Sequence, residues 1–183
     1  MHAARAYQSM FPDMSLEEAN RRMRLSSDHG TITKVYECAK KQNSFGGMVQ
    51  VHQPEFEIQL FFTGNEAANL AGCTTEAHFV AYSTSVSLKE LQDTGEKLKH
   101  HLAGYGSKVH ISSVPAGHSA NHQNTSAPTK DPHVIISVKA EGGAEMTALI
   151  DKIETEISQF KMLYPYIYVQ EWKDMDEILV GYE

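Results

Sequence analysis

Residues 79–114, FVAYSTSVSLKELQDTGEKLKHHLAGYGSKVHISSV, begin the pattern that decides the fold. The apolar run Phe79–Ser83 predicts a strand, and Ser87 with Glu90 has the spacing of a capping box, which begins a helix. The leucines of that helix lie on one stripe, and a glycine-containing segment ends it. Val109–Val114 then predicts a second strand, so this stretch has the order β-α-β.

The chain continues with the order β-α-β up to residue 172. His133–Val138 predicts a strand, and an amphipathic helix follows from about Gly143 until Tyr164 and Pro165 end it. Tyr166–Trp172 predicts the last strand. The full order β-α-β-β-α-β is that of ferredoxin-like sandwiches, in which two helices cover one face of an antiparallel sheet.

The N-terminal part predicts helices followed by a β-hairpin. Ser15 and Glu18 form a second capping box, and Gly30 is expected to divide the helical pattern into two pieces. Alternating apolar residues on both sides of residues 53–55 predict the hairpin, with Phe56, Ile58, Leu60 and Phe62 on one face. Because that face is apolar, we expect the helices to cover it.

These patterns predict an α+β protein with two subdomains. A flexible N-terminus over 1–14 precedes a helical and hairpin subdomain over 15–78. The ferredoxin-like subdomain over 79–172 includes a polar loop at 115–132, and an acidic tail over 173–183 ends the chain. The glycine pair at residues 46 and 47 is interpreted as a turn.

Charge excludes some classes of partner. The 183 residues have a formal net charge of −7, which argues against nucleic acid or an anionic membrane surface. The basic residues Arg21, Arg22 and Arg24 are expected on the solvated outer face of a helix. No run of residues has the length and apolarity of a membrane span or a signal peptide.

The two cysteines, Cys38 and Cys73, are too far apart in sequence for a metal knuckle or a redox pair. We favour two unpaired buried thiols. The alternative is a long-range disulfide, which contributes roughly 3 to 4 kcal/mol in an oxidising compartment.

The sequence contains no convincing catalytic pattern. It has no Gly-x-Ser-x-Gly elbow, and no local pair is marked as nucleophile and base. His118 and His122 have a spacing that suits a metal on a helix, but they lie in the polar loop and are only weak candidates. We therefore predict no enzyme, no cofactor and no metal, and keep a thiol-dependent enzyme using Cys38 or Cys73 as a further hypothesis.

Four short motifs occur in a characteristic order: Ser44–Gly47, Phe61–Glu66, Ser87–Leu91 and the paired strands that follow. Together they resemble the pro-region of alpha-lytic-type secreted serine proteases and related stand-alone exported bacterial proteins. The resemblance spans about residues 15–172, and the 183 residues themselves include no protease domain. It implies a periplasmic or secreted protein that clamps a protease-like partner, with the last strand pairing edge to edge.

The resemblance and the aromatic residues of the last strand indicate the same surface. The candidate partner-binding residues are Tyr166, Tyr168, Gln170, Trp172 and Tyr182. Packing in the core is the commoner explanation for such a set of rings. The function predicted is a non-enzymatic inhibitor or folding helper of a separate serine protease. A small-ligand or metal-binding sensor that uses the histidine-containing loop is the alternative function.

Overall fold

The computed structural model describes residues 2–117 and 131–172, which have the mixed helix and strand content of the predicted α+β class. The helices are α1 His2–Met10, α2 Leu16–Ser27, α3 His29–Lys40, α4 Glu66–Ala71, α5 Leu88–His101, α6 Gly143–Glu156 and α7 Ser158–Leu163. The strands are β1 Phe45–Val51, β2 Glu57–Phe62, β3 Phe79–Ser83, β4 Val109–Val114, β5 His133–Val138 and β6 Ile167–Glu171. A 3-10 helix over Ala103–Lys108 links α5 to β4.

These strands form two three-stranded sheets, with the orders β1-β2-β3 and β4-β5-β6. In each sheet the first two strands are antiparallel, and the third is parallel to the second. These pairings differ from the antiparallel sheet of a ferredoxin-like sandwich, because β3 joins the N-terminal hairpin instead of β4–β6. The first sheet therefore extends past residue 78.

Side-chain caps fix the helices of the N-terminal part. Ser15 accepts a hydrogen bond from the Glu18 N–H at 3.1 Å, as the capping box predicts. The two predicted helical pieces are α2 and α3, but the break lies at Asp28 and not at Gly30. Asp28 ends α2 and caps α3 by accepting a hydrogen bond from the Thr31 N–H at 3.0 Å.

The N-terminal helices cover the hairpin as the alternation predicts. Ile58, Leu60 and Phe62 are fully buried, and they pack with Val35 and Ala39 of α3. Burial of a side chain of this size stabilises a fold by about 1.5 to 3 kcal/mol. The second sheet has its own core, formed with α5 and α6 by Leu91, Leu98, Val134, Ile136, Ile153, Ile157 and Ile167.

The two cysteines form a disulfide between Cys38 on α3 and Cys73 after α4. The expectation of two unpaired thiols is therefore wrong. It fails because sequence spacing alone does not state which segments meet in space. Here the chain from Asn65 returns to α3, where Gln42 Nε2 also donates a hydrogen bond to Asn69 O at 2.9 Å.

Arg22 corrects the expectation of a solvated basic face on α2. Its side chain is only 8% exposed, whereas that of Arg21 is 46% exposed. The guanidinium of Arg22 donates to Glu18 Oε1 at 2.5 Å, to the carbonyl of His52, and to Pro54 O at 3.1 Å. Arg22 therefore joins α2 to the turn between β1 and β2.

Gly46 and Gly47 lie within β1 and do not form the predicted turn. The register shifts between Phe45 and Gly47, and Ala116 donates its N–H to Gly46 O at 3.1 Å. A Cβ at Gly47 would lie 2.4 Å from Ala116 O, so only glycine allows this approach. The segment after β4 thus joins the two sheets.

The two sheets belong to two structural repeats with the order helix, strand, strand, helix, strand. Their ladders agree bond by bond: Ile58 N donates to His78 O as Val134 N does to Tyr166 O, and Thr84 N donates to Phe62 O as Trp172 N does to Val138 O. Both α3 and α5 bury the residues four, seven and eleven positions after their caps, namely Ile32, Val35 and Ala39, and Leu91, Thr94 and Leu98. The two repeats therefore share the register of their parallel strands, and they differ by the shift in β1 between Phe45 and Gly47, which β4 lacks.

Candidate partner-binding surface

The outer face of the second sheet carries most of the predicted binding residues. Because side chains alternate along a strand, the residues between the core positions lie on this face. They are His110, Ser112 and Val114 from β4, His133, Ile135 and Ser137 from β5, and Tyr168 and Gln170 from β6. We call these residues, with Trp172, the outer face; it contains no carboxylate and no lysine or arginine.

Ring side chains meet in pairs on the outer face. His110 and Trp172 are in edge contact with 4.9 Å between ring centres, and His133 and Tyr168 are at 5.5 Å. Tyr168 is 55% exposed, so its ring is available to a partner. Tyrosine and tryptophan bury much area at low entropic cost, which suits a protein-binding surface.

The free edge of β6 borders the outer face. In a parallel ladder every second residue of β5 bonds β6, and it bonds the residues on either side of its own partner. The bonds Val134 N to Tyr166 O and Trp172 N to Val138 O therefore direct the backbone groups of Val169 and Glu171 away from β5. Over residues 2–117 and 131–172, the Val169 N–H and C=O bond no other group.

Tyr166 lies elsewhere than the other predicted binding residues. Its hydroxyl donates to Glu90 Oε1 at 3.1 Å and contacts Thr94 Oγ1 at 3.2 Å, both on α5. Burial is the main cause that raises the pKa of Tyr166 to about 12. The ring therefore anchors the start of β6 to the helix layer, and the structure does not bring it together with Tyr168.

Some of the predicted site residues lie outside the described residues, namely Tyr182, His118 and His122. In the part of the chain that the structure describes, no three histidine, cysteine or acidic side chains are grouped to hold a metal ion. Both cysteines are paired in the disulfide, so the structure contains neither of the free thiols on which the hypothesis of a thiol-dependent enzyme depends. No helix among the described elements is long and apolar enough to cross a membrane.

Sequence reasoning missed the two histidines of the outer face. The signal that identifies them is alternation, because each precedes a core residue, Ile111 and Val134, on its strand. Only the pairing of β4, β5 and β6 places them beside Trp172 and Tyr168.

No known protein-family model matches the chain, and a comparison with curated proteins finds no match either.

Proposed function

We propose that this chain is a non-enzymatic binding protein that adds an extended strand of a protein partner to the edge of β6. The observation that carries the proposal is the unbonded Val169 N–H and C=O beside the exposed ring of Tyr168. In strand addition of this kind, main-chain hydrogen bonds give affinity and neighbouring side chains give specificity. Tyr168 and Gln170 are the side chains that would contact the partner.

The class of partner follows from the resemblance to protease pro-regions. It supports a separate chymotrypsin-like serine protease as the partner, with this chain as its inhibitor or folding helper. The Cys38–Cys73 disulfide supports a periplasmic or secreted location, because disulfides persist chiefly in oxidising compartments. The tail over 173–183 is proposed to reach the partner's cleft.

The first experiment tests whether the protein binds a protease of this class. The protein is titrated into a panel of trypsin-like and alpha-lytic-like proteases, and complex formation, protease activity and refolding yield are each measured. Binding with loss of activity identifies an inhibitor, and a raised refolding yield identifies a folding helper. Absence of any complex, inhibition or assistance across the panel would refute the proposal.

A proline at residue 169 then tests the edge itself. The Val169 N–H points away from β5, so Val169→Pro deletes the donor that a partner strand would use and leaves the ladder with β5 intact. Loss of one such bond, about 1 to 1.5 kcal/mol, weakens binding roughly five- to tenfold. Val169→Ala changes the side chain alone and should bind nearly as the parent does. Equal affinity of the proline and alanine variants would exclude β6 as the docking edge.

A further inference from the structure

His52, at the end of β1, is the contact between α1 and the hairpin. Tyr7 of α1 lies with its hydroxyl 2.5 Å from His52 Nδ1, and its ring centre is 5.6 Å from the imidazole. Phe11, which follows α1, stacks on the same ring at 6.4 Å, and Phe56 lies at 5.4 Å from it. The partly buried imidazole thus lies near three aromatic rings from two parts of the chain.

Few other contacts hold α1 against the hairpin. Of the side chains described in α1, from Ala4 onwards, only that of Ala4 is buried, and Met10 is 64% exposed. The helix packs chiefly on α2 and meets the hairpin through Tyr7. A change of charge at His52 therefore acts directly on the contact that joins this helix to the hairpin.

The charged groups around His52 disfavour a second positive charge. The guanidinium of Arg22, on α2, donates a hydrogen bond to the carbonyl of His52 itself. The Glu18 carboxylate lies beyond Arg22 and is shared with Arg21. On the other side of Phe56, His78 stacks at 6.4 Å and has Glu76 at 3.7 Å from its Nδ1.

We propose that α1 is an acid-released strap, held on the hairpin while His52 is neutral and undocked when His52 gains a proton. Protonation would place a second positive charge on a partly buried ring next to the Arg22 guanidinium. The Tyr7 hydroxyl, which can donate to Nδ1 of the neutral imidazole, would have to turn and accept from the protonated Nδ1 instead. Undocking restores water to the imidazolium and separates α1 from the turn.

The sign of the effect follows from linkage. Burial, and to a smaller extent Arg22, lowers the pKa of His52 below its ordinary 6.5 in the docked state. A depressed pKa contributes stability that is fully present above pH 6.5 and is lost as the pH falls through the docked value. At about pH 5, one such group weakens docking by at most about 30-fold.

Hydrogen exchange of the intact chain tests the strap. Protection of the α1 amides, corrected for the intrinsic dependence of exchange on pH, is compared with that of α5 at about pH 7.5 and about pH 5. We expect α1 protection to fall between threefold and 30-fold in acid while α5 stays constant. A fall of less than twofold in α1, or an equal fall in α5, would overturn the proposal.

Two variants assign the effect to the correct histidine. His52→Gln keeps a group that can bond Tyr7 but cannot take a proton, and should abolish the pH dependence of α1 protection. His78→Gln, on the far side of Phe56, should retain it; the reverse result would overturn the assignment. If His52→Gln fails to fold, the imidazole signals of the parent protein replace it. His52 must then titrate together with the loss of α1 protection, and titration without that loss would equally refute the strap.

Discussion

Replacing Arg22 with alanine should destabilise the protein far more than replacing its neighbour Arg21. Both guanidinium groups bind the same carboxylate, with Arg21 Nε 2.6 Å and Arg22 Nε 2.5 Å from Glu18. Hydrogen bonds from Arg21 and Arg22 are the main cause that lowers the pKa of Glu18 to about 2. Arg22 alone is buried and also donates to the carbonyls of His52 and Pro54.

The expected loss of stability depends on the polar groups that each substitution leaves unpaired. Without Arg22, the two turn carbonyls lose their donor, and each unsatisfied group costs about 1 to 3 kcal/mol. Since Arg21 still neutralises Glu18, no isolated charge adds to this, and the two carbonyls together give an expected loss of about 2 to 6 kcal/mol for Arg22→Ala. For a chain of this length the melting temperature falls by roughly 10 °C. The exposed pair of Arg21 is worth about 0.2 to 1 kcal/mol.

Urea unfolding followed by circular dichroism measures both variants against the parent. Arg22→Lys adds a control, because one ammonium cannot span the carboxylate and both carbonyls; it should recover less than half of the loss. If Arg22→Ala and Arg21→Ala differ by less than about 1 kcal/mol, the buried guanidinium does not hold the turn. A smaller urea slope for Arg22→Ala would instead indicate that the hairpin unfolds separately.

Two further predictions concern the Cys38–Cys73 disulfide and the close approach of Gly47 to Ala116. Reduction, or the pair Cys38→Ala and Cys73→Ala, should cost about 4 kcal/mol in urea unfolding, because the bridge spans 35 positions; an unchanged midpoint under reducing conditions would contradict the pairing. Gly47→Ala should cost about 1 to 3 kcal/mol, because its Cβ meets a backbone carbonyl at 2.4 Å. Gly104→Ala, with nothing within 4 Å of its Cβ, is the matched control, and equal stabilities would refute the close approach.

Local features of the sequence predict local structure well here. Ser15 and Ser87 cap the helices that their spacing predicts, at 3.1 and 3.2 Å from the N–H groups of Glu18 and Glu90. Alternation along β2 identifies its buried face. These features depend on neighbours within a few residues, so the sequence contains all the information they need.

Features that depend on distant parts of the chain could not be predicted. No sequence pattern predicts the helix over residues 2–10 or its contact with a histidine 45 positions from Tyr7. The composition of Phe79–Ser83 suits a strand in either sheet. Its pairing with β2 depends on how distant parts of the chain meet in space. Arg22 resembles its exposed neighbours in sequence and differs only because the turn carbonyls lie within reach.

The internal repeat was missed for a related reason, and it also explains why the second sheet carries the proposed binding surface. Gly47 pairs with Phe61 where the second repeat has His110 and Ser137. In the first repeat the large ring of Phe61 is fully buried, and a Cβ at Gly117 would lie 2.7 Å from it, so a main-chain segment closes that face. In the second repeat the small Ser137 lets the rings of His110 and Trp172 meet across β5.

In each repeat a small residue is paired with a large one, but the two repeats place the large residue on opposite strands. Such an exchange preserves packing and removes visible sequence similarity between the repeats. This difference between the repeats affects which sheet can bind a partner. The outer face of the first sheet is closed by the chain's own backbone, whereas the outer face of the second sheet is closed by ring side chains that remain at the surface. These rings border β6, whose edge has unbonded backbone groups at Val169. Of the two sheets, the second therefore offers both the main-chain donors and the side chains that strand addition requires.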